Sequence, residues 1–301
     1  ANEHRADFVF ASPIIWSNLV RHPQASQLRF ETVRQVTTTG APIGLDMHQR
    51  LRRHLPEAAS LHTPYGATEA LPLTSIASDE LLQDTAAQTR AGAGTCVGHP
   101  FDGVELAIIR VTDDPIATWS DDLQLGPGNI GEIVACSEVV SPSYKADEGA
   151  NAAAKIRKGD GVAHRMGDLG YLDEAGRLWF CGRKAHRLET AEGLLPVVPV
   201  ENVFNQHPAV FRSALVGVGQ PGRQVPVLCV ELEDGASLTP ALERELTSLG
   251  EQSRWAGRVQ GYLQHNSFPV DPRHNSKINR ALLRDWATQR WRPRAAGQAA
   301  A

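Results

Sequence analysis

The sequence is poor in cysteine and has no apolar run long enough to cross a membrane. Its 301 residues include four cysteines, Cys96, Cys136, Cys181 and Cys229, and none belongs to a CxxC pair or a Cys/His cluster. Such wide spacing predicts neither a zinc site nor a disulfide framework. Reduced thiols are typical of the cytosol, so we expect a cytoplasmic protein. A membrane helix needs roughly 18 to 20 apolar residues, and we therefore predict no membrane span.

The sequence also lacks a strong charge bias and a targeting signal. Lysine and arginine number 30 against 34 acidic residues, for a net charge of −4. This balance gives no general attraction to nucleic acid, which we exclude as a partner. The first residues, "ANEHRADFVFASP", lack the basic start and apolar block of a secretory signal and read like the interior of a domain.

Alternating patterns predict a mixed α/β architecture. The composition, 42% hydrophobic and 21% charged, is that of a globular protein, and the length suggests about two domains. Residues 7–63 alternate β-branched strand patterns with helical patterns, one of them starting at Pro13, which predicts a layer of parallel strands. Residues 94–146 are rich in short strands and turns, which favours an antiparallel sheet or small β-barrel. Strand and helix patterns alternate again beyond residue 182.

We therefore predict two domains of α/β and α+β type. Residues 1–181 form the end of a large domain, with a parallel sheet layer and a small barrel. Residues 182–301 form a small α+β domain, with the boundary at 182–185 and a disordered tail from about residue 288.

The stretch "TPYGATEA", residues 63–70, follows an apolar strand and suits ligand binding. Polar groups after a parallel strand lie at the sheet edge where α/β proteins bind ligands. Tyr65 offers a flat face for a base, and Gly66 lets the backbone approach a ligand. Thr68 could donate to a phosphate, and Glu69 is a hard oxygen ligand for Mg²⁺. The alternative is a plain turn in which Thr68 and Glu69 begin a capped helix.

A second stretch, "TTTGAPI", also ends a strand. Gly40, Ala41 and Pro42 would form a narrow loop with few side chains, which could line an adenine ring. An ordinary turn from strand to helix explains the same residues.

Three charged residues are candidates for binding and catalysis. Asp168 could accept hydrogen bonds from both hydroxyls of a ribose. Arg183 follows fifteen positions later, across a predicted hairpin, and could reach the same sugar or a phosphate. Lys277, at the start of the last predicted helix, could neutralise charge developing on a carboxylate and a phosphate. Alternatively, Asp168 caps a hairpin and Lys277 is a solvated surface residue.

The order of these motifs resembles the adenylate-forming superfamily, which includes acyl-CoA synthetases, luciferases and peptide-synthetase adenylation domains. The resemblance extends from residue 8 to about residue 286. It implies ATP and Mg²⁺ as cofactors and a small mobile domain that carries the adenylation lysine. The roles it implies are Mg²⁺ binding by Glu69, α-phosphate contact by Thr68, ribose binding by Asp168 and Arg183, nucleotide contacts by Tyr65 and Gly66, adenine contact by residues 40–42, and adenylation by Lys277.

Within that superfamily, "TPYGATEALP" and "FPVDPRHNSKINR" look most like the olefin-pathway β-lactone synthetases. Acyl-CoA ligases usually have glycine where Ser276 precedes Lys277. The resemblance implies activation of a long-chain β-hydroxy acid and its closure to a β-lactone, alongside other enzymes of the olefin pathway. One alternative is a long-chain fatty acyl-CoA ligase that uses CoA. Another is a non-catalytic chain that only binds nucleotide or partners.

Two departures from the superfamily pattern stand out. The phosphate-binding loop with its own lysine is absent, and no G-x-x-x-x-G-K-[ST] loop replaces it. We expect that loop upstream, which would make this chain the C-terminal part of a longer protein and inactive by itself. Ala185 stands at the hinge position, where family members often have aspartate or lysine.

Overall fold

The computed structural model describes residues 1–40, 43–270 and 277–293 and contains two compact units. The first comprises Ala1–Thr89 and Ala93–Ala185, and the second comprises Arg90–Gly92 and His186–Ala301. The change of unit after Ala185 falls at the end of the 182–185 segment in which the sequence predicted a boundary.

The first unit begins with the predicted layer of parallel strands. Strand β1 pairs in parallel with β2, and β2 with β3. Two helices connect these strands, and the first begins at a proline whose fixed φ suits the first helical turn. The core contains Trp16, Val36, Leu51 and Leu61. The elements are β1 (Phe8–Ala11), α1 (Pro13–Arg21), β2 (Gln35–Thr38), α2 (Leu45–Arg52) and β3 (Ser60–Ala67).

Seven antiparallel strands extend this layer. The sequence predicted a parallel layer and a small barrel; the structure joins all ten strands of the unit in one sheet. The added strands are β4 (Ala70–Ala77), β5 (Thr95–Pro100), β6 (Glu105–Ile109), β7 (Gly131–Cys136), β8 (Lys155–Lys158), β9 (Gly161–Leu172) and β10 (Leu178–Arg183). Their order is β1-β2-β3-β4-β5-β10-β9-β7-β6, with β8 paired to β9.

Short helices and a second core complete this unit. Leu73, Ile133, Met166 and Leu178 pack together on the antiparallel part of the sheet. Helices α3 (Ser78–Glu80) and α4 (Ala86–Arg90) are separated by one π-helical turn, and α5 (Glu148–Ala154) follows β7. The side chain of Asp147 caps α5 by accepting from the Ala150 N–H at 2.8 Å.

The second unit has the predicted α+β character. A three-stranded sheet carries an antiparallel and a parallel pairing, and a small hairpin precedes it. As predicted, Thr239 caps the helix that follows, accepting from the Leu242 N–H at 3.2 Å. The elements are β11 (Leu188–Thr190), β12 (Gly193–Leu195), α6 (Val197–Phe204), β13 (Val210–Val218), β14 (Val225–Leu232), α7 (Pro240–Glu251), β15 (Gly261–Gln264) and α8 (Arg280–Arg290).

The last helix corrects two predictions. Asn279 is its N-cap, so Lys277 precedes the helix and does not begin it. The helix also continues to Arg290, so residues 288–290 are helical where the sequence predicted a disordered tail. The rest of that predicted tail, beyond residue 293, lies outside the described residues. No helix in the described ranges is both long and apolar enough to span a membrane.

Candidate active site

The Tyr-Gly-Ala-Thr-Glu motif lies in a hairpin. Strand β3 pairs with β2 only as far as His62 and then continues antiparallel to β4. Thr68 and Glu69 form the turn between Ala67 and Ala70, which are paired. The alternative of a capped helix beginning at Thr68 is therefore wrong, because a strand follows the motif.

The structure explains why residue 66 is glycine, which the sequence alone did not show. A Cβ at this position would lie 2.4 Å from the carbonyl oxygen of Ala70 and 2.8 Å from a methyl group of Leu71. Since real Cβ atoms do not approach backbone so closely, the hairpin itself requires glycine here. The glycine is therefore explained without a ligand, and the predicted ligand contact of Gly66 stays a prediction.

Asp168 connects the motif to the far end of the sheet. Its Oδ2 accepts a hydrogen bond from the Tyr65 hydroxyl at 2.6 Å, and its Oδ1 accepts one from Arg183 Nη1 at 2.9 Å. Asp168 lies on β9 directly opposite Arg183 on β10, so the hairpin register creates this pair. The Tyr65 ring lies 6.0 Å from the ring of Phe180. Tyr65 and Arg183, from two different motifs, thus both bind the carboxylate of Asp168.

This carboxylate is buried, whereas its cationic partner is not. The side chain of Asp168 is 4% exposed and that of Arg183 is 55% exposed. Burial raises the pKa of Asp168 above its usual value, although Arg183 and the Tyr65 hydroxyl oppose the shift. Burial and the neighbouring carboxylate also raise the pKa of Tyr65, which therefore stays a neutral donor. Each carboxylate oxygen has a second acceptor site, so Asp168 retains capacity for a ribose hydroxyl.

The end of β2 lies beside the same hairpin. The Thr39 hydroxyl donates to the Pro64 carbonyl at 3.2 Å, immediately before Tyr65. Gly40 follows in a left-handed conformation with φ +99°, which glycine adopts without strain. Ala41 and Pro42, the other two predicted adenine contacts, lie outside the described residues.

Glu69 presents an ionised carboxylate at the hairpin turn. Its Oε1 accepts from the Tyr144 hydroxyl at 2.9 Å. Burial alone would raise its pKa, but a backbone hydrogen bond, the Tyr144 hydroxyl and the charges of His164 and Lys155 together lower it. Thr68, beside it, is exposed.

This chemistry fits magnesium. A bound Mg²⁺ typically takes one or two protein carboxylates and completes its shell with substrate phosphates and water. The described residues include no cluster of three or more metal-ligating side chains. Glu69 could therefore serve as a single protein ligand of this kind.

Three residues around Glu69 escaped the sequence analysis. Lys155 and His164 face each other across the β8–β9 hairpin. The Lys155 ammonium donates to the Ser141 carbonyl at 2.6 Å and lies 5.3 Å from the centre of the Tyr144 ring. Burial lowers the pKa of Lys155 and of His164. Tyr144 is 75 positions from Glu69, and nothing in its local sequence marks it as a partner of that residue.

Lys277 belongs to the second unit, whereas the other described candidates belong to the first. It is exposed and directly precedes Ile278, which forms an isolated bridge with Val270 and is followed by Asn279, the N-cap of α8. Tyr65 and Arg183 thus both contact Asp168 in the first unit, whereas Lys277 belongs to the second unit.

Known proteins match this chain over nearly its whole length. Residues 1–145 match the family described as AMP-binding enzyme. The olefin beta-lactone synthetase of Stenotrophomonas maltophilia strain K279a is 46% identical over 292 residues, which cover 95% of this chain and 52% of that protein. The olefin beta-lactone synthetase of Xanthomonas campestris pv. campestris is 44% identical over 288 residues, with coverage of 93% and 51%.

A solved structure supports the same relationship. The amide bond synthetase McbA from Marinactinospora thermotolerans matches with a TM-score of 0.76 at 25% identity, over 94% of this chain and 52% of that one. The chain therefore spans about half the length of these relatives. The resemblance inferred from the motif order is confirmed by sequence and by fold: the chain belongs to the adenylate-forming family of AMP-binding enzymes.

Proposed function

We propose that the whole protein activates a long-chain β-hydroxy carboxylic acid with ATP and closes it to a β-lactone, releasing AMP and pyrophosphate. The observation that supports nucleotide binding is that Tyr65 and Arg183 both donate hydrogen bonds to the buried carboxylate of Asp168. The relatives described as olefin beta-lactone synthetases support the choice of acid and product.

The nucleoside end of ATP is assigned to the first unit. Asp168 accepts hydrogen bonds from the ribose hydroxyls, and the exposed guanidinium of Arg183 lies within reach of the sugar or a phosphate. Residues 40–42 and the Tyr65 ring border the adenine. The hydrogen bond from Thr39 to Pro64 supports this assignment, because it holds the residue after β2 beside the residue that precedes Tyr65 on β3.

In the first half-reaction a carboxylate oxygen of the acid attacks the α-phosphorus. The bond to the bridging oxygen breaks, pyrophosphate leaves and an acyl-adenylate remains. Thr68 donates to the α-phosphate, and the Lys277 ammonium offsets the negative charge that develops in the transition state. Glu69 would hold Mg²⁺, which neutralises phosphate charge when bound.

In the second half-reaction the β-hydroxyl oxygen attacks the activated carbonyl of the same molecule. Its proton is released, the carbonyl–phosphate oxygen bond breaks, AMP leaves and a four-membered lactone forms. Because both reacting groups are in one molecule, their effective concentration is high and no second substrate is needed.

Product analysis of the full-length protein tests this reaction. We expect a long-chain β-hydroxy acid and MgATP to give β-lactone, AMP and pyrophosphate at the same rate with and without CoA. A thioester formed only when CoA is present would identify an acyl-CoA ligase instead. Nucleotide binding with no product under either condition would identify a non-catalytic protein.

Substitution of the proposed adenylation lysine tests its role. We expect Lys277→Ala in the full-length protein to slow single-turnover adenylation by about 10²-fold or more, the usual cost of removing a transition-state donor. ATP binding should change little, because the charge is needed mainly where negative charge develops. Arg284→Ala is a control, since Arg284 is an exposed cation on α8 whose described ion pair is with the adjacent Asp285. Unchanged adenylation in Lys277→Ala would exclude the assigned role.

The location of the protein is a further proposal. All four cysteines are free, and three of them are buried. Free thiols are typical of a reducing compartment, which supports the cytoplasm.

A further inference from the structure

The chain around Lys277 is held in place by its neighbours and not by the lysine itself. Ile278 pairs with Val270 in an antiparallel bridge, and the Asn279 N–H donates to the Pro269 carbonyl at 2.8 Å. Lys277 makes no hydrogen bond or ion pair with the described residues, and its side chain is exposed. The position of its ammonium group therefore depends on the backbone on either side.

A buried ion pair holds the residues that follow Lys277. Arg280, three residues after Lys277, donates from Nη1 to Glu201 Oε1 at 2.6 Å and from Nη2 to Glu201 Oε2 at 2.8 Å. Glu201 lies on α6 and also accepts from the Leu215 N–H of β13 at 2.8 Å. Arg280 in turn donates to the Leu215 carbonyl at 3.1 Å. These contacts join the first residue of α8 to both a helix and the central sheet of the second unit.

A second buried carboxylate, that of Glu231, holds the chain just before Val270. Glu231 on β14 accepts from the backbone N–H of Phe268, two residues before Val270. It is also paired with Arg212, whose Nη2 donates to Oε1 at 3.0 Å and whose guanidinium lies 5.3 Å from the centre of the Phe268 ring. The side chain of Phe268 is itself buried in the core. Glu231 thus binds Phe268 and Glu201 binds Arg280, each through a buried carboxylate.

Packing alone does not require these charges. A buried ion pair often stabilises a fold no better than apolar residues of the same volume, but its geometry is demanding. A bidentate arginine–carboxylate pair fixes both the position and the orientation of its partners. We propose that the Glu201–Arg280 pair, with Glu231 on the opposite side, positions Lys277 for adenylation. The proposal rests on the function proposed above for Lys277 and assigns Glu201, Arg280 and Glu231 as positioning residues.

The expected effect follows from the sensitivity of catalysis to placement. A displacement of about 1 Å in a catalytic group can cost about 10²-fold in rate. Glu201→Gln keeps the shape and one acceptor oxygen but weakens the bidentate pair. We expect it to lower the single-turnover adenylation rate of the full-length protein about tenfold, while KM for ATP changes less than about twofold. Glu231→Gln should act in the same direction.

A double-mutant cycle with Lys277→Ala separates positioning from a general loss of structure. If Glu201 acts through Lys277, then Glu201→Gln slows adenylation in the wild-type background and has no further effect once Lys277 is alanine. Glu245→Gln is the matched control, because Glu245 is an exposed glutamate on α7 of the same unit. Its rate should equal that of the wild type. Arg280→Lys keeps the charge but not the planar guanidinium, and it replaces Glu201→Gln in the double-mutant cycle if Glu201→Gln does not fold.

Each outcome has a distinct meaning. A slow Lys277→Ala variant with no additional loss from Glu201→Gln or Arg280→Lys supports positioning. The same loss factor in both backgrounds, or no loss in the wild-type background, overturns the positioning role and leaves the proposed function intact. Full adenylation activity in Lys277→Ala overturns the proposed role of the lysine and the positioning proposal with it.

Discussion

The hydrogen bond between Tyr65 and Asp168 allows a quantitative prediction for Tyr65→Phe. The substitution removes one hydroxyl and keeps the ring that lies near Phe180. The lost bond, 2.6 Å long, reaches a carboxylate whose side chain is 4% exposed. Hydrogen bonds to charged groups contribute about 1.5–3 kcal/mol. Arg183 remains, but its side chain is 55% exposed and solvent screens its charge. We therefore expect the free energy of unfolding of the first unit to fall by about 2 kcal/mol at pH 7.

The effect should depend on pH in a defined direction. Folding raises the pKa of Asp168 above 3.8, mainly through burial. The folded state therefore binds more protons in the window above pH 3.8, and the contribution of Asp168 to stability falls as the pH rises through that window. Tyr65 opposes this loss by stabilising the ionised form. The difference between Tyr65→Phe and wild type should be largest at neutral pH. It should shrink as the pH falls through the raised pKa of folded Asp168, which lies above 3.8.

Urea denaturation of the chain across this pH range, with amide hydrogen exchange in β9 and β10 as a probe of the first unit, measures the effect. Tyr171→Phe is the control. Tyr171 stacks on Trp179 at 5.8 Å, and its hydroxyl makes no hydrogen bond within the described part of the chain. That control should stay within about 0.5 kcal/mol of wild type. A Tyr65→Phe variant as stable as the control, or one whose loss is the same at every pH, would refute the reasoning.

Three further predictions concern the first unit and the chain as a whole. His48 is hydrogen-bonded to Ser78 at 2.6 Å, and burial lowers its pKa from 6.5 to about 4. Its contribution to the free energy of unfolding is therefore complete above pH 6.5, and about 3 kcal/mol of it is lost as the pH falls to 4. In urea titrations, the stability of His48→Gln should depend less on acid pH than that of the wild type. Tyr144→Phe removes a hydrogen bond that lowers the pKa of Glu69, so the carbon-13 NMR titration of that carboxyl should move to higher pH, and an unchanged midpoint would contradict the contact. The 301-residue chain alone should catalyse no ATP–pyrophosphate exchange, because a cradle for the β- and γ-phosphates is not found in its sequence, and clear turnover would contradict this expectation.

Local patterns in the sequence predicted most of the elements. Helix α1 begins at Pro13 and α7 is capped by Thr239, as the residue types indicated. Each prediction depends on residues within one or two turns, where propensity and capping dominate. The pairing of Asp168 with Arg183 could be predicted only in part. One hairpin with a short turn brings the two strands together, but a bulge between Phe180 and Gly182 shifts the register so that Arg183 lies opposite Asp168.

Contacts between distant residues could not be predicted in the same way. Tyr65 is 103 positions from Asp168, and Tyr144 is 75 from Glu69. The Tyr65 ring was expected to stack on a base, and only the sheet order showed that its hydroxyl binds Asp168. That order places β10 and β9 two and three strands beyond the hairpin of β3 and β4. Local residue patterns carry little information about such an order, since it depends on which strands pack together.

The sequence by itself determined the family, the order of the motifs and the chemical type of each candidate residue. Covalent order and short-range preferences are sufficient for these, because they act along the chain. The tertiary structure decided which residues share a carboxylate, why Gly66 must be glycine and which buried charges hold the chain beside Lys277. These depend on strand register and on the loss of water around buried charges, and both arise only when distant segments pack together.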